Sequence, residues 1–308
     1  MGIQGNPARG LAVAAVFALA AAMVATAGAT AGAATGTPPR PDSGAVHAVS
    51  PAAQRATRAF WTSSRMAAAV PAQGDVQAVP SIGPPPGTPT ATHFDGVATV
   101  GALFFTTGTQ QHFCTASVVD SLTANLILTA AHCVYASTYA SDIEFVPAYH
   151  DGQQPYGGWA VQTIVVAAGW QQSHDPNLDF AFLSVAPPPG TRLPIQLVTG
   201  GLRLGIDLGY DHQIEVIGYN DTDKRPIECA TDGFKFETNQ MEFYCRDYWD
   251  GTSGGPWIVG YNGHDGTGTV LGVIGGYEQG GDYRWASYSA YFGWPTLELF
   301  LEAERQQY

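Results

Sequence analysis

The run Gly251-Thr252-Ser253-Gly254-Gly255-Pro256-Trp257 sets one hydroxyl among small residues, just ahead of the apolar segment Trp257-Ile258-Val259. A serine framed by glycines on a tight turn exposes its Oγ, and the backbone N–H groups around it can converge on one point. A chain builds a nucleophile and an oxyanion hole together in this way. The competing reading is a plain Gly/Ser surface turn. A base and an orienting acid elsewhere in the chain decide between the two. His132 lies in Leu128-Thr129-Ala130-Ala131-His132-Cys133, where an apolar strand delivers the imidazole. The adjacent cysteine can pin the following turn, through Cys114, to the preceding strand, as a base that must keep one orientation requires. Asp179 lies in Asn177-Leu178-Asp179-Phe180-Ala181-Phe182-Leu183 and heads a nearly continuous apolar strand. Such a carboxylate is partly desolvated and needs a partner, which an imidazole N–H supplies. Asp175 competes for this role but does not sit against the strand. The other seven histidines, His47, His93, His112, His150, His174, His212 and His264, read as surface or satisfied core imidazoles.

The elements that must position these groups are short apolar runs split by turn residues. Val97–Phe105, Phe113–Val119, Leu126–Thr129, Ile143–Pro147, Val161–Ala167 and Phe180–Val185 read as six strands with no helical stripe between them. Pro187-Pro188-Pro189-Gly190 interrupts any strand and makes a joint between lobes. A second set follows: Ile195–Val198, Ile214–Tyr219, Phe234–Glu237, Met241–Cys245, Trp257–Val259 and Val270–Ile274. This pattern is that of an all-β barrel or sandwich. From Pro295 to Gln306, Leu297, Phe300 and Leu301 fall at helical spacing behind a proline, which predicts a terminal helix packed on a lobe.

The chain has 308 residues, 45% hydrophobic and 13% charged, enough to bury the core of one large or two small domains. Residues 1–34 carry an uncharged Ala/Val/Leu run followed by small-residue triplets, the pattern of a secretory signal peptide. A membrane anchor is the alternative, weakened by the low hydropathy of alanine and glycine. Residues 35–92, rich in Pro, Ala, Thr and Gly, cannot bury enough apolar surface to fold alone and read as a largely disordered propeptide or linker. Within them, Arg58-Ala59-Phe60-Trp61 and Arg65-Met66 form an island able to dock on the domain that follows or to be processed. That domain spans 93–308, with lobe one at about 93–186, lobe two at about 191–293 and the terminal helix at about 295–306.

Net charge is −13, and the residues after position 80 hold 8 basic against 24 acidic groups. This excludes nucleic acid and anionic membrane as natural partners and keeps an exported protein soluble. Cys114, Cys133, Cys229 and Cys245 are an even set, read as two disulfides in an oxidising compartment. Three pairings are possible. The sequential one, Cys114–Cys133 with Cys229–Cys245, closes two loops of similar length, each stabilising by roughly 3 kcal/mol in the loop-entropy account. Without a CxxC pair or a His/Cys cluster no zinc site is expected. Asp221-Thr222-Asp223 is read as a turn and not as a calcium site. No metal and no cofactor enter the expectation.

The three stretches Thr129-Ala130-Ala131-His132-Cys133, Asp179-Phe180-Ala181-Phe182-Leu183 and Gly251-Thr252-Ser253-Gly254-Gly255-Pro256, in the order His, Asp, Ser, resemble the chymotrypsin/trypsin superfamily of serine peptidases. The likeness extends over residues 94–295 and is nearest to secreted bacterial trypsin-like peptidases, including the glutamyl-endopeptidase branch. It implies two six-stranded antiparallel β-barrels with the site in the cleft between them. It also implies Ser253 as nucleophile, His132 as general base and acid, Asp179 as its orienting carboxylate, and the Gly251 and Ser253 N–H groups as the oxyanion hole. The implied protein is a secreted, monomeric serine endopeptidase made as a zymogen and acting on polypeptide. A non-catalytic binding module on the same fold and an esterase-type acyl hydrolase are the alternatives.

Three positions depart from the family pattern. Thr252 stands where animal members carry an aspartate that pairs with a freed N-terminus. Trp249 replaces a cysteine, and Gly275-Gly276-Tyr277 replaces Ser-Trp-Gly along the substrate-binding wall. Asp247, six residues before Ser253, matches the pocket-floor acid of trypsin-type enzymes and would select Arg or Lys by charge pairing. Glutamyl preference is disfavoured, because the family's pocket histidine falls at Ile274. Asp247, Gly275, Gly276 and Tyr277 are thus the expected pocket residues.

Overall fold

The computed structural model describes residues 44–72, 82–220 and 225–306. The chain enters through β1 (Gly44–Ala48), α1 (Pro51–Phe60), α2 (Ser63–Ala68), β2 (Val70–Pro71) and β3 (Thr92–His93). Six strands rich in Val, Ile and Phe follow: β4 (Val100–Thr107), β5 (Gln110–Val118), β6 (Leu126–Thr129), β7 (Ser141–Pro147), β8 (Trp159–Ala167) and β9 (Ala181–Ala186). They pair antiparallel in the ring β4–β5–β6–β9–β8–β7 and back to β4. Closure leaves no open ladder within the ring, and inward Leu103, Phe145, Ile164 and Leu183 fill it. The one-turn α3 (Ala131–Val134) follows β6, and α4 (Ala168–Ser173) follows β8.

The second half contributes α5 (Gln196–Thr199), β10 (Arg203–Leu204), β11 (His212–Tyr219), β12 (Pro226–Glu237), β13 (Gln240–Tyr244), β14 (Pro256–Asn262), β15 (Thr267–Val273), β16 (Ala286–Ala290) and α6 (Trp294–Arg305). Its sheet runs β10-β15-β14-β11-β12-β13-β16, with β3 added to β12. The flanks of β15 and β16 meet where Val273 N–H donates to Ser289 Oγ (3.0 Å) and, just beyond, Gly275 N–H donates to the Tyr288 carbonyl (3.0 Å). The all-β two-lobe architecture with a C-terminal helix is therefore the observed one. Helix α6 packs on β8 and β9, with the Phe300 ring edge-on to Phe182.

Three expectations are corrected in detail. The stretch expected as a strand over 195–198 is instead the start of a helical turn, α5 (Gln196–Thr199), capped at Ile195; Pro194 just ahead of it suits a helix start. Strand β16 was not anticipated, because Ser287 and Ser289 dilute its apolar pattern. On α6 the buried positions are Thr296, Leu299, Ala303 and Glu304, and Leu301 faces solvent.

The largest correction concerns 35–92. Its described part is ordered over 44–72. Ser50 caps α1 by accepting from Ala53 N–H, and Thr62 caps α2 by accepting from Arg65 N–H. Strand β1 lies antiparallel on β8, while β2 lies parallel to β5, with Ala72 N–H donating to the Phe113 carbonyl (2.9 Å). Trp61, Met66 and Ala69 are buried in a cluster with Ala102, Phe104, Phe113, Val146, Tyr149 and Tyr219. The segment carries too few large apolar groups to fold alone, and it folds on a surface that the barrel supplies. The signal-peptide span 1–34 and the Asp221-Thr222-Asp223 turn lie outside the described residues.

Beneath this strap sits Glu144, buried on β7 against Gly158, with Arg58 of α1 as the nearby cation. Burial pushes its carboxyl up to about 7, and the Arg58 charge opposes the shift.

Candidate active site

The site is assembled where the ends of strands from both halves meet. Strand β6 ends at Thr129, whose hydroxyl donates to the Thr115 carbonyl (2.7 Å), and the chain turns into α3 carrying His132. The Cys114–Cys133 disulfide ties that turn to β5, and Cys229–Cys245 ties β12 to the end of β13. Both pairings are thus sequential. Asp179 follows a short 3-10 turn, Pro176–Leu178, started by the Asp175 side chain, and it is fully buried. Its two oxygens receive three donors. His132 N–H donates to Oδ1 (2.9 Å), His132 Nδ1 lies 2.8 Å from Oδ2, and Gly276 N–H donates to Oδ2 (2.9 Å). With Nδ1 held against a carboxylate, Nδ1 carries the proton and the Nε2 lone pair is left for chemistry. His132 is 5% exposed at its side chain, and its Nε2 makes no hydrogen bond among the described residues.

Ser253 arrives from the other half on a turn held by its neighbours. Thr115 N–H donates to the Ser253 carbonyl (2.8 Å), and Thr115 Oγ1 donates to the Gly251 carbonyl (3.0 Å). Gly254, at φ +80, fits so tightly that a Cβ there would lie 2.2 Å from Thr129 Oγ1 and 3.0 Å from Ala130 N. The serine turn therefore lies directly on the segment leading to His132. Gly251, at φ +93, is packed against the Phe113 ring and the Tyr219 carbonyl, with no room for a Cβ. Thr252 donates from both N–H (3.1 Å) and Oγ1 (2.6 Å) to the Trp249 carbonyl. The turn is thus braced internally, without the ion pair that its missing aspartate would make. The Gly251 and Ser253 N–H groups donate to no partner among the described residues.

Next to Ser253 opens a cavity of about 180 Å³, walled by Tyr248 to Asp250 on one side and by Glu278 to Arg284 on the other. None of the expected pocket residues lines it. Asp247 has a left-handed backbone (φ +74) and lies outside the wall, while Tyr248 and Trp249 take its place. Gly275 packs on Asp179, Gly276 N–H donates to it, and the Tyr277 ring meets Phe236 at a tilt and Tyr288 edge-on. The far wall comes from a turn with Glu278 and Gln279 at positive φ, a conformation that no local sequence signal announces. At the rim the Arg284 guanidinium lies 3.4 Å from the Trp249 ring centre. Sequence reasoning also missed Gln240. It is buried, accepting at Oε1 from Tyr277 N–H (3.0 Å) and donating from Nε2 to Asn177 Oδ1 (3.0 Å).

A closed barrel beside a second antiparallel sheet, with a His–Asp pair and a glycine-framed serine on the seam, defines the chymotrypsin-like class of two-lobed β proteins. Residues 95–284 match the profile of the family described as Trypsin, well over half of the chain, and the protein belongs to that family. Membership supports a peptidase function and a polypeptide substrate. The fold is similar to protease Anisep from Arthrobacter nicotinovorans (22% identity, TM-score 0.63, covering 70% of this chain and 100% of that one). It is also similar to the thermostable serine protease AL20 from an extremophilic microorganism (23%, 0.60, 68% and 97%). A third likeness is to a Glu endopeptidase in complex with MPD (19%, 0.55, 71% and 99%). At these identities the likeness is one of fold. No curated protein matches the sequence.

Proposed function

We propose that the chain is a secreted serine endopeptidase working through Ser253, His132 and Asp179. The observation that carries this reading is the buried His132–Asp179 pair, 2.8 Å apart, beside the serine turn with its two unused N–H groups. Ser253 Oγ attacks the scissile carbonyl as His132 Nε2 takes its proton. Asp179 keeps the proton-bearing Nδ1 in place and stabilises the imidazolium, and the Gly251 and Ser253 N–H groups receive the developing oxyanion. His132 then protonates the leaving amine, and water frees the acyl-enzyme by the same route. A fluorophosphonate probe should label the secreted, processed chain and fail to label its Ser253→Ala variant. An unlabelled wild-type chain would favour the binding-module alternative.

The cavity beside Ser253 is walled by Asp250, Glu278 and Asp282 against the single cation Arg284. That balance favours a basic side chain before the scissile bond, through groups other than Asp247. Digestion of a diverse peptide library should give cuts after Arg or Lys, unchanged in Asp247→Ala. Cuts confined to positions after Glu would overturn the assignment.

Export fits the leader-like residues 1–34 and the two disulfides. Among the described residues no helix is long and apolar enough to cross a membrane. The propeptide expected over 35–92 is here a strap docked over 44–72, which a maturation protease would have to cut around or displace.

A further inference from the structure

Apart from the two bonds from His132, Asp179 is held by a main-chain donor, Gly276 N–H, on a Gly275-Gly276 segment that offers no side-chain hydroxyl. A main-chain N–H on two consecutive glycines is only as well placed as whatever fixes the chain around it. We propose that Gln240 is the positioning residue that does this, one amide gripping both structures that hold the carboxylate. Its Oε1 accepts from Tyr277 N–H, the residue directly after Gly276. Its Nε2 donates to Asn177 Oδ1, inside the 3-10 turn that delivers Asp179 two residues later.

The orientation of the amide follows from its partners. Tyr277 N–H is a donor only, so the atom facing it is the oxygen and the other end is the NH2 group. Asn177 is oriented independently, because its Nδ2 donates to Asp175 Oδ1 (3.0 Å), which leaves Oδ1 for Gln240. The site is close-fitting as well. A Cβ on Gly276 would lie 2.5 Å from Gln240 Oε1, and one on Gly275 would lie 3.0 Å from Asp179 Oδ2. Strand β13 carries Gln240, so the clamp is anchored on a ladder of the second half and reaches a turn of the first. Gln240 touches neither substrate nor the reacting atoms and acts through Asp179 on the His132 imidazole.

The inference rests on the peptidase reading and is tested in the secreted chain with Gln240→Met, which keeps length and bulk and removes both hydrogen bonds, and with Asn177→Ala at a half-buried site, which removes the Gln240 bond together with the one to Asp175. Two signals are read: the rate of fluorophosphonate labelling of Ser253, and the downfield proton resonance of the His132 Nδ1–H···Asp179 bond. Gln240→Met should slow labelling by about ten- to a hundredfold, as a misplaced catalytic group does, and shift or broaden the resonance. Asn177→Ala should do the same to a smaller degree, with kcat falling and KM holding in both. Labelling at the wild-type rate in both variants overturns the positioning role alone. So does slowed labelling with an unchanged resonance. A wild-type chain that does not label overturns the peptidase reading and this inference with it.

Discussion

Glu144, buried on the barrel wall, makes the stability of the fold depend on pH. Its carboxyl is pushed from 4.5 to about 7 by burial, so the folded chain binds a proton there that the unfolded chain has released. Its contribution is fully present below the unfolded value and is lost as pH rises through 7. The loss reaches up to about 3 kcal/mol at pH 8. Glu144→Gln should flatten the fall of Tm expected of wild type between pH 5 and pH 8, and equal slopes in the two proteins would refute the assignment. The residue scale is also where the sequence was most and least readable. His132, Asp179 and Ser253 each carry a local signature, a strand end or a glycine turn, that needs no knowledge of distant contacts. Gln240 carries none. Its partners lie 63 and 37 positions away, and on paper it is one more polar residue beside a turn. Asp247 was read by spacing alone, which assumes a shared backbone path; its backbone is left-handed and it does not line the cavity beside Ser253.

At the scale of elements, β4 to β9 were legible because each buries an apolar run and ends at a turn residue. The strap was not. Composition correctly says that 44–72 cannot make its own core, and it has no way of saying that another element lends one. Trp61 is the main anchor, 4% exposed, packed on Phe104 and donating from Nε1 to the Asp142 carbonyl. Trp61→Ala should destabilise the protein by about 3–5 kcal/mol, the usual cost of deleting a buried aromatic side chain. Chemical denaturation monitored by near-UV circular dichroism reads this directly. A loss below about 1 kcal/mol, the range of surface substitutions and weak contacts, would mean that the strap is only loosely held. Strand β2 adds a second point, since it covers the edge of β5 at Phe113, whose ring packs on the Gly251 turn. Strap and serine turn therefore share a neighbour.

At the scale of the whole molecule, the two-lobed plan follows from the joint at Pro187–Gly190 and from two runs of strands, and both are visible in the sequence. The seam between the halves is not, because it is made of contacts between residues far apart in the chain: apolar packing such as Phe180 on Phe292, and single hydrogen bonds such as Thr115 to Gly251 and Gly276 to Asp179. Each disulfide closes a loop inside its own half, Cys114–Cys133 in the first and Cys229–Cys245 in the second. Apart from the connecting chain, then, no covalent bond crosses the boundary on which the reactive groups meet. Each half is cross-linked against its own unravelling, and their mutual alignment relies on contacts that can loosen and re-form. On the proposed mechanism, loosening of those contacts would separate Ser253 from His132 with both disulfides intact, and its reversal would need no thiol chemistry.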